Sequence, residues 1–200
     1  MDPIFHLLAT NLYAKDERWR DEALFFSLLP DLGLLLITIY IFMYLPKNLT
    51  ILDAYSMVPQ AFVVLYFALH SLVVFAIAAL VVWRLRPRLL PAMSAWLLHI
   101  LIDIPVHAGM FATRFLYPVL PDVRFEGASW GEPWVLLAGY SALLILYVYS
   151  SWRERRKHYL RERWRADWLD RLVSRANALI SRVRIHAADA KGQDIEGAAR

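Results

Sequence analysis

The chain is expected to fold as an all-α, polytopic membrane helical bundle of about four spans with a C-terminal basic amphipathic helix. Three observations predict this. Hydrophobic residues make up 59% of the 200 residues, and they cluster in runs of about twenty rather than being dispersed. Lys and Arg alternate between scarce and abundant from one segment between runs to the next. Residues 152–186 repeat apolar positions at three-to-four spacing with Arg and Glu between them. Mean hydropathy is +0.41, well above ordinary globular usage.

Residues 1–23 read as an N-terminal interfacial segment in which His6, Tyr13 and Trp19 belong to a short helix. Asp2, Asp16 and Glu17, with no short apolar core before a small-residue cleavage site, argue against a cleaved signal. Residues 24–151 form the membrane domain, with spans at about 24–45, 61–83, 89–109 and 133–151. In the first span, starting a helix after Pro30-Asp31 leaves residues 32–45, roughly 21 Å of helix. That is short of a ~30 Å hydrocarbon core. Asp31 therefore lies below the interface, or the span is irregular around Pro30.

Charge fixes the orientation. Lys15, Arg18 and Arg20 precede the first span, and Arg84, Arg86 and Arg88 separate the second from the third. The tail carries thirteen Lys and Arg, whereas the 46–60 loop has only Lys47 and the 110–132 loop only Arg114 and Arg124. Four spans with both termini in the cytoplasm satisfy this alternation. Arg114 and Tyr117 read as interfacial anchors.

Residues 152–186 read as a cytoplasmic amphipathic helix on which Leu160, Trp164, Trp168 and Leu172 share a face. Such a helix lies on a lipid leaflet or packs on other loops. A dimerising coiled coil, hence a homo-oligomer, is the alternative. Its arginines alternate with acids and no reading motif is present, so nucleic acid is not an expected partner. Residues 187–200 are expected to be a disordered tail.

The chemistry lies in the spans. His99, Asp103 and His107 recur every four residues in LLPAMSAWLLHILIDIPVHAG, one stripe on a helix. An ionisable group within a bilayer costs several kcal/mol unless it is paired, solvated or metal-bound. Counting ~1.5 Å per residue from the cytoplasmic ends, Asp31, His70, His99 and Asp103 fall at similar depth. The fourth span carries no such group. A shared polar site is the expected result, with Asp31, His70, His99 and Asp103 as metal ligands. The chain has no cysteine, so only imidazole and carboxylate are available. Zn, Mn, Fe or Mg suits such a set, Zn first. On a straight helix His107 lies roughly 12 Å along the axis from His99. There it cannot share a metal with His99, and it sits near the outer surface. Pro105 permits a kink that folds it inward.

The order HLL, LLPDL, HSL and LLHILIDIPVHAG resembles the bacterial membrane-bound metal-dependent hydrolase family, inner-membrane proteins of the DUF457 type. The likeness covers roughly residues 5–120. His6, Pro30-Asp31, His70-Ser71 and His99/Asp103, with Gly109 after, occupy the family's motif positions. Gly33 and Leu34 stand where the family has an acid and often a histidine, and Tyr66 and Phe67 where it has His-Arg. The resemblance implies an inner-membrane hydrolase of a lipid or other membrane-accessible ester or phosphoester. Asp103 is then the nominated base, and His107 a replacement for a missing catalytic group. Against this stand a small transporter or ion-handling protein and a degenerate member whose polar residues only hold the bundle together.

Overall fold

The computed structural model describes residues 1–197, with 51–52, 165–166 and 176–197 described by backbone alone. The described residues are helical and contain no strand, only an isolated antiparallel bridge between Thr113 and Phe125. In chain order the α-helices are α1 (Pro3–Tyr13), α2 (Arg20–Leu28), α3 (Leu32–Tyr44), α4 (Ile51–Ser56), α5 (Gln60–Leu69), α6 (Leu72–Leu85), α7 (Leu90–Asp103) and α8 (Pro133–Gly197). Short 3₁₀ turns at Pro87–Leu89 and Ile104–Val106 flank α7. Two compact units divide the chain, Met1–Ile145 and Leu146–Arg200, and α8 passes from one into the other.

Two helical segments, Pro87–Val106 and Pro133–Arg175, are long and apolar enough to cross a membrane. Two bent pairs qualify if each counts as one span. The α2–α3 pair turns by 50° and the α5–α6 pair by 69°. The candidate spans thus number two to four, within the residues described.

Both breaks fall where the sequence places an ionisable residue in an apolar run, Asp31 at the first and His70 at the second. At the first, Pro30 has no amide hydrogen to give and Asp31 becomes the residue preceding α3. The irregularity around Pro30 raised by the length of span one is therefore present. The second run, 61–83, predicts one continuous helix, but α5 ends at His70 and Ser71 restarts the chain as the N-cap of α6. The Ser71 hydroxyl accepts from the amides of Val73 (3.1 Å) and Val74 (3.4 Å). Hydropathy averages over a window and does not register a two-residue change of direction.

Backbone freed by a break must be satisfied within the protein if it lies in lipid. The loop after α7 does this for the second break. Leu72 N donates to Phe115 O at 2.9 Å, and Ser71 Oγ donates to Tyr117 O. Trp96 Nε1 of α7 donates to Leu69 O at 2.7 Å.

Small residues set the close contacts of this first unit. Ala14, Ala23, Ala92 and Ala95 form one buried cluster, bringing the α1, α2 and α7 region together. Gly33 of α3 meets α5 so closely that a Cβ there would lie 2.6 Å from the Tyr66 Cα. Met93, Trp96 and Ile100 of α7 form a second cluster against the α6 side chains Phe75 and Val82. Residues 1–23, read above as interfacial, are part of the packing: Phe5, His6 and Thr10 of α1 are buried, and Tyr13 Oη lies 2.9 Å from Ser94 Oγ of α7. At eleven residues α1 is too short for a hydropathy test to mark it as inserted.

In the second unit, Leu160, Trp164, Trp168 and Leu172 are exposed along the helix, and the Arg156 guanidinium lies over the Trp152 ring at 5.4 Å. The helical backbone runs on through 187–197. The side chains of the predicted disordered tail, and all of residues 198–200, lie outside the described residues.

Candidate metal centre

Six titratable side chains meet in the interior of the first unit. His6 comes from α1, Asp31 from the α2–α3 break, His70 from the α5–α6 break, and His99, Asp103 and His107 from α7 and the residues after it. All six are buried. The four expected ligands Asp31, His70, His99 and Asp103 are therefore brought together, and His6 and His107 join them.

Asp103 is the hub. Its Oδ2 lies 3.0 Å from His99 Nε2 and 3.4 Å from His70 Nε2. Its Oδ1 lies 2.6 Å from the Met1 α-amine, 3.0 Å from His6 Nε2 and 3.4 Å from His107 Nδ1. Asp31 is farther out, with Oδ1 3.8 Å from His99 Nε2. The His6 and His99 rings stack with centroids 3.6 Å apart.

The helix breaks set the orientation of three imidazoles. His70 Nδ1 donates to Tyr66 O at 2.9 Å, His99 Nδ1 to Ser27 O at 2.7 Å and His107 Nδ1 to Asp103 O at 3.0 Å. A carbonyl oxygen only accepts, so Nδ1 must carry the proton in each ring. The Nε2 atoms of neutral His70 and His99 then present bare lone pairs toward the Asp103 Oδ2. A ligating histidine typically gives its second nitrogen to just such a backbone acceptor. These carbonyls lie at the ends of α2, α5 and α7, where helical pairing runs out; that of Tyr66 also accepts from the His70 amide at 3.2 Å, so His70 Nδ1 takes its second lone pair.

The same geometry leaves polar atoms stranded. His6 Nδ1 and Nε2, His70 Nε2, His99 Nε2, Asp31 Oδ2 and Asp103 Oδ2 are buried with no hydrogen-bond partner. Several sit within ion-pair distance of Asp103, yet the angles make no hydrogen bond. Among the described residues the one other such atom is Thr113 Oγ1. Each stranded group costs ~1–3 kcal/mol, so their concentration at one point calls for a common partner. Two sets have ligand atoms within 4.8 Å of one another: His6, Asp31 and His99, and His70, His99 and Asp103. A tetrahedral ion with ligands at ~2.0–2.2 Å spaces them roughly 3.3–3.6 Å apart. Buried His and Asp clusters able to hold a metal ion are thus present, and imidazole with carboxylate is a fitting donor set.

Two positions differ from the straight-helix expectation. His107 is buried against Asp103 and not near a surface, because α7 ends at Asp103 and Pro105 sits in a 3₁₀ turn that redirects the chain. It belongs to neither ligand set. His6, read as interfacial from its neighbours, is a member of one set. The signal for it was only the resemblance, because periodicity in an eleven-residue helix does not distinguish a core histidine from an interfacial one.

An apolar groove of about 570 Å³ is lined by Phe25, Leu28, Leu32 and Leu35, and it touches the site at Asp31, which is one of its walls. No family model, curated protein or solved structure matches the chain.

Proposed function

We propose that this protein is a metal-dependent hydrolase of the bacterial inner membrane, acting on a lipid or other membrane-accessible ester or phosphoester. The observation that carries the reading is the buried group of imidazole and carboxylate atoms left without hydrogen-bond partners around Asp103. His70, His99 and Asp103, with His6 and Asp31 on the adjoining side, would hold the ion, Zn being the best match to the donors. A divalent ion bound there acidifies water and polarises the bond to be broken.

The chain's own residues supply the rest. Hydrolysis adds the water oxygen to the carbonyl carbon or phosphorus and returns a proton to the departing oxygen. With Oδ2 facing His70 and His99, Asp103 takes and returns that proton on Oδ1, and His107, 3.4 Å from Oδ1, stands next to it. The carbonyls of Tyr66 and Ser27 hold His70 and His99 in one tautomer and one orientation. The apolar groove that Asp31 helps to line supports a substrate with a hydrocarbon chain.

One observation favours a different reading, a structural polar core. Asp103 lies within 3.4 Å of imidazole nitrogens of His6, His70, His99 and His107, a ring of polar side chains that can hold the buried carboxylate without a metal.

Elemental analysis of the detergent-purified protein beside the double variant His99→Ala/Asp103→Ala separates the two. Stoichiometric metal in the wild type, lost in the variant, is the expected result. It would justify assaying lipid esters and phosphoesters. A wild type that binds no metal even after reconstitution would overturn the hydrolase reading in favour of the polar core.

A further inference from the structure

A second polar feature lies in the loop between α7 and α8. The bridge between Thr113 and Phe125 sets the two arms of this loop antiparallel. Arg114 and Arg124, one residue further along each arm, are therefore cross-strand neighbours. Both line a crevice of about 510 Å³ whose other walls include Tyr55, Ser56, Gln60 and Tyr66. Two like charges placed side by side repel each other unless something negative sits with them.

The chain supplies too little negative charge. Glu126 Oε1 meets Arg124 Nε at 2.7 Å, and its Oε2 accepts from the Gly109 amide at 2.9 Å, so this carboxylate is used on both oxygens. Arg114 rests on the Phe67 ring, its guanidinium carbon 4.2 Å from the centroid. Among the described residues no carboxylate pairs with it. Stacking on an aromatic face leaves the edge of a guanidinium, where its N–H groups point, open to an acceptor. The Tyr55 hydroxyl and the Gln60 amide belong to residues that share the crevice, so it combines two cations with neutral donors.

We propose that the crevice between Arg114 and Arg124 is an anion subsite that takes a phosphate group. Two guanidinium forks present paired donors that match the oxygens of phosphate. The phosphate belongs either to a lipid headgroup or to a soluble ion. The Tyr66 ring separates the crevice from the buried histidines, with its centroid 4.3 Å from that of His70. An occupant is thus one ring away from the candidate metal centre, and the subsite does not depend on a metal being there.

The test uses the full chain in phosphatidylcholine nanodiscs. Inorganic phosphate is titrated and followed by broadening of its phosphorus NMR line. In parallel, retention of phosphatidylglycerol is read by native mass spectrometry from mixed nanodiscs. The wild type is expected to bind at least one probe. Phosphate alone would mark a soluble anion, and retained phosphatidylglycerol a headgroup. Arg114→Gln and Arg124→Gln should each weaken binding by about tenfold. Arg114→Lys, which keeps the charge but loses the fork, should fall between and serves if the glutamine variant does not fold. Wild type binding neither probe, or both glutamine variants binding as wild type does, would overturn the subsite. Metal content is measured on the same samples. Binding of either probe without metal sinks the hydrolase reading alone, and metal with neither probe bound sinks the subsite alone.

Discussion

The tautomer of a histidine is decided by its second nitrogen, and here that nitrogen faces backbone. His70 and His99 give Nδ1–H to carbonyls of Tyr66 and Ser27, which leaves Nε2 bare toward Asp103. Asp103 is consequently the residue whose loss should matter most. Asp103→Ala is expected to abolish metal binding and, by leaving the buried imidazoles of His6, His70 and His99 without their common neighbour, to cost about 1–3 kcal/mol of stability. Metal analysis and thermal unfolding in detergent measure both, and unchanged metal content would remove Asp103 from the centre. His6→Ala should also lose metal, because His6 shares a ligand set with Asp31 and His99. His107→Ala should keep it, because His107 lies against Asp103 but belongs to neither set. If the hydrolase reading holds, that variant would retain metal and lose turnover. Loss of metal in His107→Ala would show that the ligand sets are drawn wrongly.

At the scale of the helix, the site exists because two helices stop. Asp31 and His70 reach the centre from the α2–α3 and α5–α6 breaks, and carbonyls in the last turns of α2 and α5 orient His99 and His70. Keeping broken helices together requires close packing on either side. Gly33→Ala would set a methyl group 2.6 Å from the Tyr66 Cα, a backbone atom that cannot rotate away. It should destabilise by about 1–3 kcal/mol and spread α3 from α5. Gly139→Ala meets chiefly the mobile end of the Met1 side chain at 2.3 Å, so a smaller loss of melting temperature is expected. Equal losses in the two variants would contradict the difference drawn between backbone and side-chain contact. With α5 this close, no side chain fits at position 33 without moving the Tyr66 backbone.

For the molecule as a whole, the distribution of Lys and Arg sets the expected orientation. The termini and the Arg84–Arg88 turn should share the cytoplasm, with the 46–60 and 110–132 loops on the other side. Reporters fused after Arg200 and inserted in the 46–60 loop should give opposite signals. A periplasmic signal at the C-terminus would overturn the orientation. In that orientation the Arg114–Arg124 crevice opens away from the cytoplasm.

Much was legible in the chain before folding was considered. Apolar runs of span length and the helical spacing of His99 and Asp103 are local properties, and hydropathy or a 3.6-residue period reads them directly. So is the rarity of Asp31 and His70 in their surroundings, because an ionisable group in an apolar run stands out whatever it later touches. The sequence therefore determined an all-helical, apolar protein with a polar interior. Tertiary structure decided what that interior contains. His6 joins it because α1 packs among α2 and α7 by way of Ala14, Ala23, Ala92 and Ala95. His107 joins it because the chain turns after Asp103. His70 points inward because α5 ends there and Ser71 starts a new helix. Each of these is a change of direction over two or three residues, stabilised by contacts with distant segments. Periodicity extrapolates a straight axis and has no information about where the axis bends.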